Sequence, residues 1–199
     1  MSQSFDSYAR ILIIGGGAIG CSLAYQLTKR GERDVVVLEK SQLTHGCTWH
    51  AAGLVGQLRG SLNLTRMMQN SVAVFDELEA ETGHVIDWRK VGSLRLASSQ
   101  DRWSEIRRSM TLAKSFGFEC HSLNAKEAQE LFPYMDPEGV VGAAFIPSDG
   151  YIDPYALTHA YASGAKKRGA QIREGVQVKE IIREGRRAVG VVTDHGTIG

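Results

Sequence analysis

Residues 11–20 read ILIIGGGAIG, an apolar strand that runs into a glycine turn and opens a helix. This stretch constrains the fold more than any other. Gly15, Gly17 and Gly20 take the three glycine positions of GxGxxG. The first allows a tight turn, the second lets backbone approach a pyrophosphate, and the third lets the helix pack closely on the strand. The helix N-terminus carries roughly +0.5 charge from its unpaired N–H groups, which suits phosphate. The next apolar run, VVVLEK, ends in Glu39, 19 residues past Gly20. A carboxylate there can accept both hydroxyls of a ribose. The glycines alone would specify only a turn; strand, turn, helix and spaced acid together specify a dinucleotide site. Glu39 also repels a ribose 2′-phosphate, which disfavours NADP.

The chain has 199 residues, 43% of them apolar, which is a globular composition long enough for one domain and a fraction. Lys plus Arg number 23 and Asp plus Glu 22, well mixed, so no electrostatic footprint points to nucleic acid or an anionic membrane as partner. The basic runs at 166–168 and 183–187 read as solvated faces. Cys21, Cys47 and Cys120 form no CxxC, and the six histidines lack metal spacing. No apolar run is long enough to span a bilayer. The first strand begins too early for a leader peptide to precede it, so a cytoplasmic location is the expectation.

Periodicity and breaker residues predict the following order. Strand one covers 10–15, helix A covers 18–30 and stops at Gly31, and strand two covers 34–38. A loop then runs to about Ser61, long for a compact domain and therefore a candidate for function. A helix follows over 64–82, with Met67, Met68, Ser71, Val74, Phe75 and Leu78 on its stripe and the methionines read as core. Strands are predicted at 91–97, 140–146, 171–173, 176–183 and 188–193, and helices at 101–117, after an Asn124–Glu127 capping box, and at 154–169 behind Pro154. Trp88, Trp103, Tyr134 and Tyr151 could line a substrate site, but as isolated aromatics they read as core. Asp149–Gly150 and Asp153–Pro154 read as a turn and an N-cap rather than a metal pair. His84, His121 and His159 have no partner visible in the sequence, and His195 sits in an exposed turn. The final strand, from Thr197, is a short hairpin arm that leaves backbone groups unpaired. Strands one and two need more parallel neighbours than this, so the sequence reads as the N-terminal piece of a longer protein.

The segment LTHGCTWHAAGL, residues 43–54, lies where the chain returns toward the central phosphates of a dinucleotide and the ring beyond them. Gly46 and Gly53 permit close backbone approach. Thr48 can donate its hydroxyl to a phosphate oxygen. His50 offers a nucleophilic nitrogen beside small Ala51 and Ala52, which leave room for a planar ligand.

The GGGAIG turn, the LEK end of strand two and above all TWHAAGL resemble the flavin-dependent dimethylglycine and sarcosine dehydrogenases, within the D-amino-acid-oxidase-like flavoproteins. NLTRMMQNSVAVFDELEAETG and GSLRLASS carry the likeness further, so that it covers essentially the whole chain. The resemblance implies an α/β fold, with a Rossmann-like FAD-binding domain of the glutathione-reductase and D-amino-acid-oxidase type at 1–84 and 151–199. Part of an inserted β-rich substrate domain would occupy 85–150. It implies FAD joined covalently through its 8α-methyl carbon to His50, with His45 a weaker competitor and Cys47 standing where a Ser or Thr is usual. Ala18 and Ile19 would face the pyrophosphate, and Glu39 and Lys40 the ribose. Gly46, Cys47, Thr48, Trp49, His50, Ala51, Ala52, Gly53 and Leu54 would line the phosphates, ribityl chain and ring. Val178 would contact the adenine through its backbone. The implied activity is oxidation of an N-methylated amino acid such as dimethylglycine or sarcosine by hydride transfer to the flavin. The electron acceptor is not implied, and a folate-binding half in a longer protein would receive the one-carbon unit on tetrahydrofolate. No catalytic residue is assignable in this segment, since those holding the substrate are expected downstream. The alternatives from the residues are an NAD-dependent dehydrogenase and a non-catalytic FAD-binding fragment.

Overall fold

The computed structural model describes residues 8–199. The chain runs β1 (Ile11–Ile14), α1 (Ala18–Lys29), β2 (Val35–Leu38), β3 (Leu54–Val55), α2 (Leu62–Thr82), β4 (Ser93–Ala97), α3 (Gln100–Ser115) and β5 (His121–Leu123). It continues α4 (Ala125–Leu131), β6 (Gly142–Ile146), β7 (Gly150–Tyr151), α5 (Pro154–Lys167), β8 (Gln171–Arg173), β9 (Val178–Glu184), β10 (Arg187–Thr193) and β11 (Gly196–Ile198). Contacts divide it into two compact units. One holds the residues up to Ala52, Asp76–Ile86 and everything from Asp153 onward; the other holds Gly53–Phe75 and Asp87–Ile152.

The first unit is built on a parallel sheet in the order β1-β2-β8. All four residues of β2 are buried, as a central parallel strand covered on both faces requires. Val36 and Leu38 join Val176, Val191 and Ile198, with Leu12 and Val178 packed against them. That cluster ties the parallel sheet to an antiparallel one ordered β11-β10-β9. The short last arm is paired more fully than its length predicts: β11 lies along β10, and the Gly199 carbonyl accepts from Ala9 N–H at 2.8 Å.

Helices α1 and α5 meet through Gly164, where an added Cβ would fall 2.7 Å from the ring of the fully buried Tyr25. The Tyr25 hydroxyl donates to Glu81 at 2.7 Å, Arg168 pairs with the same carboxylate, and Lys167 donates to the Glu81 and Thr82 carbonyls. The Arg168 hydrogen bond holds the Glu81 carboxyl below its ordinary range, while burial pushes the Tyr25 phenol up. The basic run at 166–168 is therefore not simply a solvated face. Two of its three members tie down the end of α2.

The second unit carries an antiparallel sheet ordered β4-β6-β5. Ala144 and Ile146 meet α3 through Ile106 and Ala113, whereas Ala143 meets α4 through Ala128. The alternation along β6 thus sends successive residues to opposite faces. Asp149 is buried and accepts from Gln57 N–H at 2.8 Å and Ser93 Oγ at 2.7 Å, which satisfies its charge without a metal. Asn124 and Glu127 form the expected capping box, and Asp153 caps α5 through Tyr155 and Ala156 N–H.

Several local expectations are corrected. Strands β2 and β4 start later than predicted because Asp34 (φ 54°) and Gly92 (φ 81°) are left-handed, which ends an extended run. Helix α2 begins at Leu62 rather than residue 64. Met67 is 56% exposed, and Tyr134 and Tyr151 are exposed as well, so none is core. Trp88 packs edge-on against Phe75, and Trp103 lies against Gly142, whose Cβ position falls 2.9 Å from the indole. His121 pairs with Glu119 at 2.9 Å.

Gly164→Ala should lower stability by about 1–3 kcal/mol despite the better helix propensity of alanine, because overpacking against Tyr25 outweighs it. Urea unfolding measures this; an unchanged midpoint would show that α1 and α5 can part without cost.

Candidate functional site

The chain leaves β1 at Gly15, whose φ of +109° only glycine adopts freely. A Cβ at Gly20 would lie 1.9 Å from the Gly15 carbonyl oxygen, so the first turn of α1 can sit there only with glycine. The N–H groups of this turn have no intrahelical acceptors, as at any helix start. Gly17 is the N-cap and contributes no side chain. Its place is filled from 30 residues away: Thr48 Oγ1 accepts from Ala18 N–H at 3.0 Å. A hydroxyl that accepts keeps its own proton to donate. Thr48 can therefore bridge the helix end to an anion.

Glu39 follows β2 directly. Its Oε2 accepts from Gly16 N–H at 2.7 Å and its Oε1 from Ser41 N–H at 2.9 Å. Each carboxylate oxygen has about two acceptor sites, so one on each remains for ribose hydroxyls. Lys40 is exposed beside it. The backbone of Glu39 is pinned to the stretch after β8, by Glu39 N–H to Arg173 O at 2.9 Å and Val176 N–H to Glu39 O at 2.9 Å. This brings Val178, the first residue of β9, to the same end of the sheet as Glu39.

The loop after β2 folds back onto the glycine turn. Thr44 N–H donates to Gly16 O at 3.1 Å, and Leu43 fills the space where a Gly16 Cβ would go. Leu43 N–H donates to Glu174 Oε1 at 2.6 Å. Thr44 is buried and left-handed, with φ of 71°. A β-branched residue there is strained, at about 1–3 kcal/mol. Beyond it the backbone coils in tight turns: Trp49 N–H to Thr44 O, His50 N–H to Cys47 O and Ala51 N–H to Thr48 O. Gly46, Cys47, Trp49, His50, Ala51 and Ala52 are exposed, as is Ile19 at 85%. The His50 ring makes no hydrogen bond among the described residues, so both of its nitrogens are uncommitted. Gly53 and Leu54 belong to the second unit, where Gly53 O accepts from Ile152 N–H and Leu54 pairs with Tyr151 in β3 and β7.

The loop also borders a cavity of about 670 Å³ in the first unit, whose lining includes His45, Trp49, His50, Tyr155, His159 and Glu174. Burial pushes the His159 imidazole below its ordinary value. Glu174, Thr44, Tyr155 and His159 were not singled out in the sequence as site residues. Only Thr44 carries a signal, a threonine in a turn before Gly46, and it becomes legible only once φ is known. Among the described residues no group of His, Cys, Asp or Glu could hold a metal ion, and no helix is long and apolar enough to cross a membrane.

The glycine turn, the Thr48 hydroxyl, the Glu39 carboxylate and the adjoining end of β9 fit a dinucleotide: N–H groups for phosphate, acceptors for ribose, backbone for a base. Residues 10–199 match the family described as "FAD dependent oxidoreductase" (DAO). Over 165 residues the chain is 42% identical to a mitochondrial dimethylglycine dehydrogenase of Rattus norvegicus, covering 83% of this chain and 19% of that protein. It is 38% identical over 203 residues to a mitochondrial sarcosine dehydrogenase of Mus musculus, covering 99% and 22%. Among solved structures, the L-proline dehydrogenase from P. horikoshii superposes with a TM-score of 0.90 at 31% identity, covering 96% of this chain and 50% of that one. The chain thus spans about a fifth of the length of the curated relatives it matches.

Thr48→Ala should cost about 1 kcal/mol of stability, the usual loss of a helix cap, while Thr48→Ser should cost only a few tenths. Denaturant unfolding of the pair separates them, and equal midpoints would remove the cap from the account. Cys21 is fully buried, and burial pushes its thiol up to about 12, whereas Cys47 is exposed. A thiol-reactive dye should label Cys47 in the native protein and Cys21 only after unfolding. Rapid native labelling of Cys21 would show that α1 leaves the sheet.

Proposed function

Because this chain belongs to the DAO family of FAD dependent oxidoreductases, we propose that it cradles FAD along β1, α1 and β2, and that its protein oxidises N-methylated amino acids such as dimethylglycine or sarcosine. The observation that carries the reading is the latch of the TWHAAGL loop on the glycine turn, in a chain resembling dehydrogenases of those two substrates. Gly15, Gly17, Gly20, Ala18 and Ile19 form the N–H-rich rim for the pyrophosphate, with Thr48 donating its hydroxyl. Glu39 accepts from the ribose beside Lys40, and Val178 presents backbone to the adenine. Residues 46–52 line the way from phosphates to ring.

A flavin held by these residues would supply a hydride acceptor for oxidation of the amine's N-methyl carbon, and the resulting iminium would be hydrolysed by water or would give its one-carbon unit to tetrahydrofolate in a protein with a folate-binding half. His50 is the point of covalent attachment through the flavin's 8α-methyl carbon in this reading. An uncommitted imidazole on a loop fixed at Thr44 and Thr48 has the freedom and the position for that role. His45, on the same loop and also exposed, is the competitor. The first unit corresponds to the cofactor domain and the second to part of the substrate domain.

The full-length protein should bleach its flavin when dimethylglycine or sarcosine is added without oxygen. After tryptic digestion, the peptide containing His50 should carry the flavin mass, and His50→Ala should release its flavin on acid precipitation. A bare His50 peptide from yellow protein would overturn the covalent link, and a flavin indifferent to both amines would overturn the substrate class.

A further inference from the structure

We propose that the cavity shared by α3 and the outer edge of β5 is a docking site for an extended, acidic segment of a partner protein, which adds as a strand to the β4-β6-β5 sheet. β5 is the last strand of that sheet, and no strand lies beyond it among the described residues. One side of its backbone therefore keeps N–H and C=O groups without strand partners. A cavity of about 510 Å³ lies there, inside the second unit. Residues 119–122 all line it, including the first two of β5. Successive strand residues point to opposite faces, so a cavity that touches both lies along the edge rather than over one face. To the same cavity α3 supplies Arg107, Met110, Thr111 and Lys114. These are positions i, i+3, i+4 and i+7, a single helix face two turns long. That face spans about 10 Å along the helix axis, the reach of roughly three extended residues.

The chemistry of the lining selects the occupant. Arg107 and Lys114, at the two ends of the helix face, are exposed and pair with no carboxylate among the described residues. Arg107 meets the Ser104 hydroxyl at 3.4 Å and the Trp103 ring. Met110 lies between the two cations on the helix, and the buried Phe118 adds a second apolar surface. The carboxylate on the lining, Glu119, pairs with His121 at 2.9 Å. Side chains on one face of a strand recur about every 7 Å. An acidic residue at i, an apolar one at i+2 and an acidic one at i+4 would thus meet Arg107, Met110 and Lys114 in turn, and the long basic side chains absorb the difference in spacing. Main-chain hydrogen bonds along an open edge give such a segment affinity, and its alternate side chains give it specificity. A second copy of this chain paired edge to edge would bring Arg107 and Lys114 of both copies together, and like charges repel it where an acidic segment is attracted. None of these residues belongs to the flavin site, and the docking does not rest on the cofactor or substrate reading.

The test is fluorescence anisotropy of a labelled peptide, Ser-Glu-Thr-Val-Thr-Glu-Ser, titrated with the full-length, flavin-loaded protein. It should bind about tenfold more tightly than the same peptide with Gln for both Glu. Combining Arg107→Glu with Lys114→Glu should weaken it by about tenfold or more, with flavin content unchanged. Methyl groups on alternate peptide amides separate strand pairing from charge. Of the two alternate sets, one removes the N–H groups that meet β5 and should abolish binding, while the other faces away and should be tolerated. Equal binding of the acidic and Gln peptides would overturn the proposal, and so would two methylated peptides that behave alike. Failure of the acidic peptide to bind would also overturn it and leave Arg107 and Lys114 as guards of an open edge. Sedimentation of the protein alone covers the remaining occupant. A dimer that forms through this edge, and that the double Glu variant alters, would give the edge to a second copy and overturn the proposal as well.

Discussion

The arrangement of the candidate site depends on two side chains that hold a loop against the start of a helix. Glu39 and Thr48 are nine residues apart in a stretch with no regular structure, yet both accept from backbone N–H groups of the glycine turn, at Gly16 and Ala18. A helix start leaves such donors unsatisfied and carries positive potential. A carboxylate and a hydroxyl are the acceptors it favours, and the carboxylate bond gains from its charge. The loop is therefore drawn to the start of α1, where those donors are. The strained Thr44 between the two anchors is tolerated because bonds on either side leave its backbone little choice.

The same economy of small residues shapes the rest of the first unit. Glycine appears wherever two backbones or a backbone and a ring must meet: Gly20 under the Gly15 carbonyl and Gly164 under Tyr25. Helix α1 is thus pressed between a strand and α5. The Tyr25, Glu81 and Arg168 group then closes its far side with hydrogen bonds that satisfy each buried polar atom it involves. An unpaired phenol or carboxylate there would be costly, which is why the three occur together.

Much of this was legible in the sequence where the determinant is local. The glycine turn, the Gly31 stop of α1, the Asn124–Glu127 box and the Pro154 start of α5 are each written in a few adjacent residues, and periodicity located the longer elements between them but not the two- and three-residue strands β3, β5 and β7. Boundaries failed where a left-handed residue intervened, at Asp34 and Gly92, because φ is not visible in composition. Exposure failed at Met67 and Tyr134, whose apolar character says nothing about which way a helix or loop turns them. In the site, Thr48 could be read as a hydrogen-bonding hydroxyl but not as the partner of Ala18. Glu174, Tyr155 and His159 were invisible because only the crossing of α5 and β8 back to β2 brings them to the loop.

That last crossing has a bearing on how the chain acquires its shape. Leu43 and Glu174 are 131 residues apart, and the bond between them fixes the root of the loop. Contacts of such long separation form late, after the intervening chain has been ordered. During synthesis the glycine turn and α1 can assemble early, but the loop above them has no floor until β8 has emerged and docked. A nascent chain paused before that point would expose Leu43 and the apolar strands β1 and β2, and it is in that interval that the polypeptide most needs protection from aggregation.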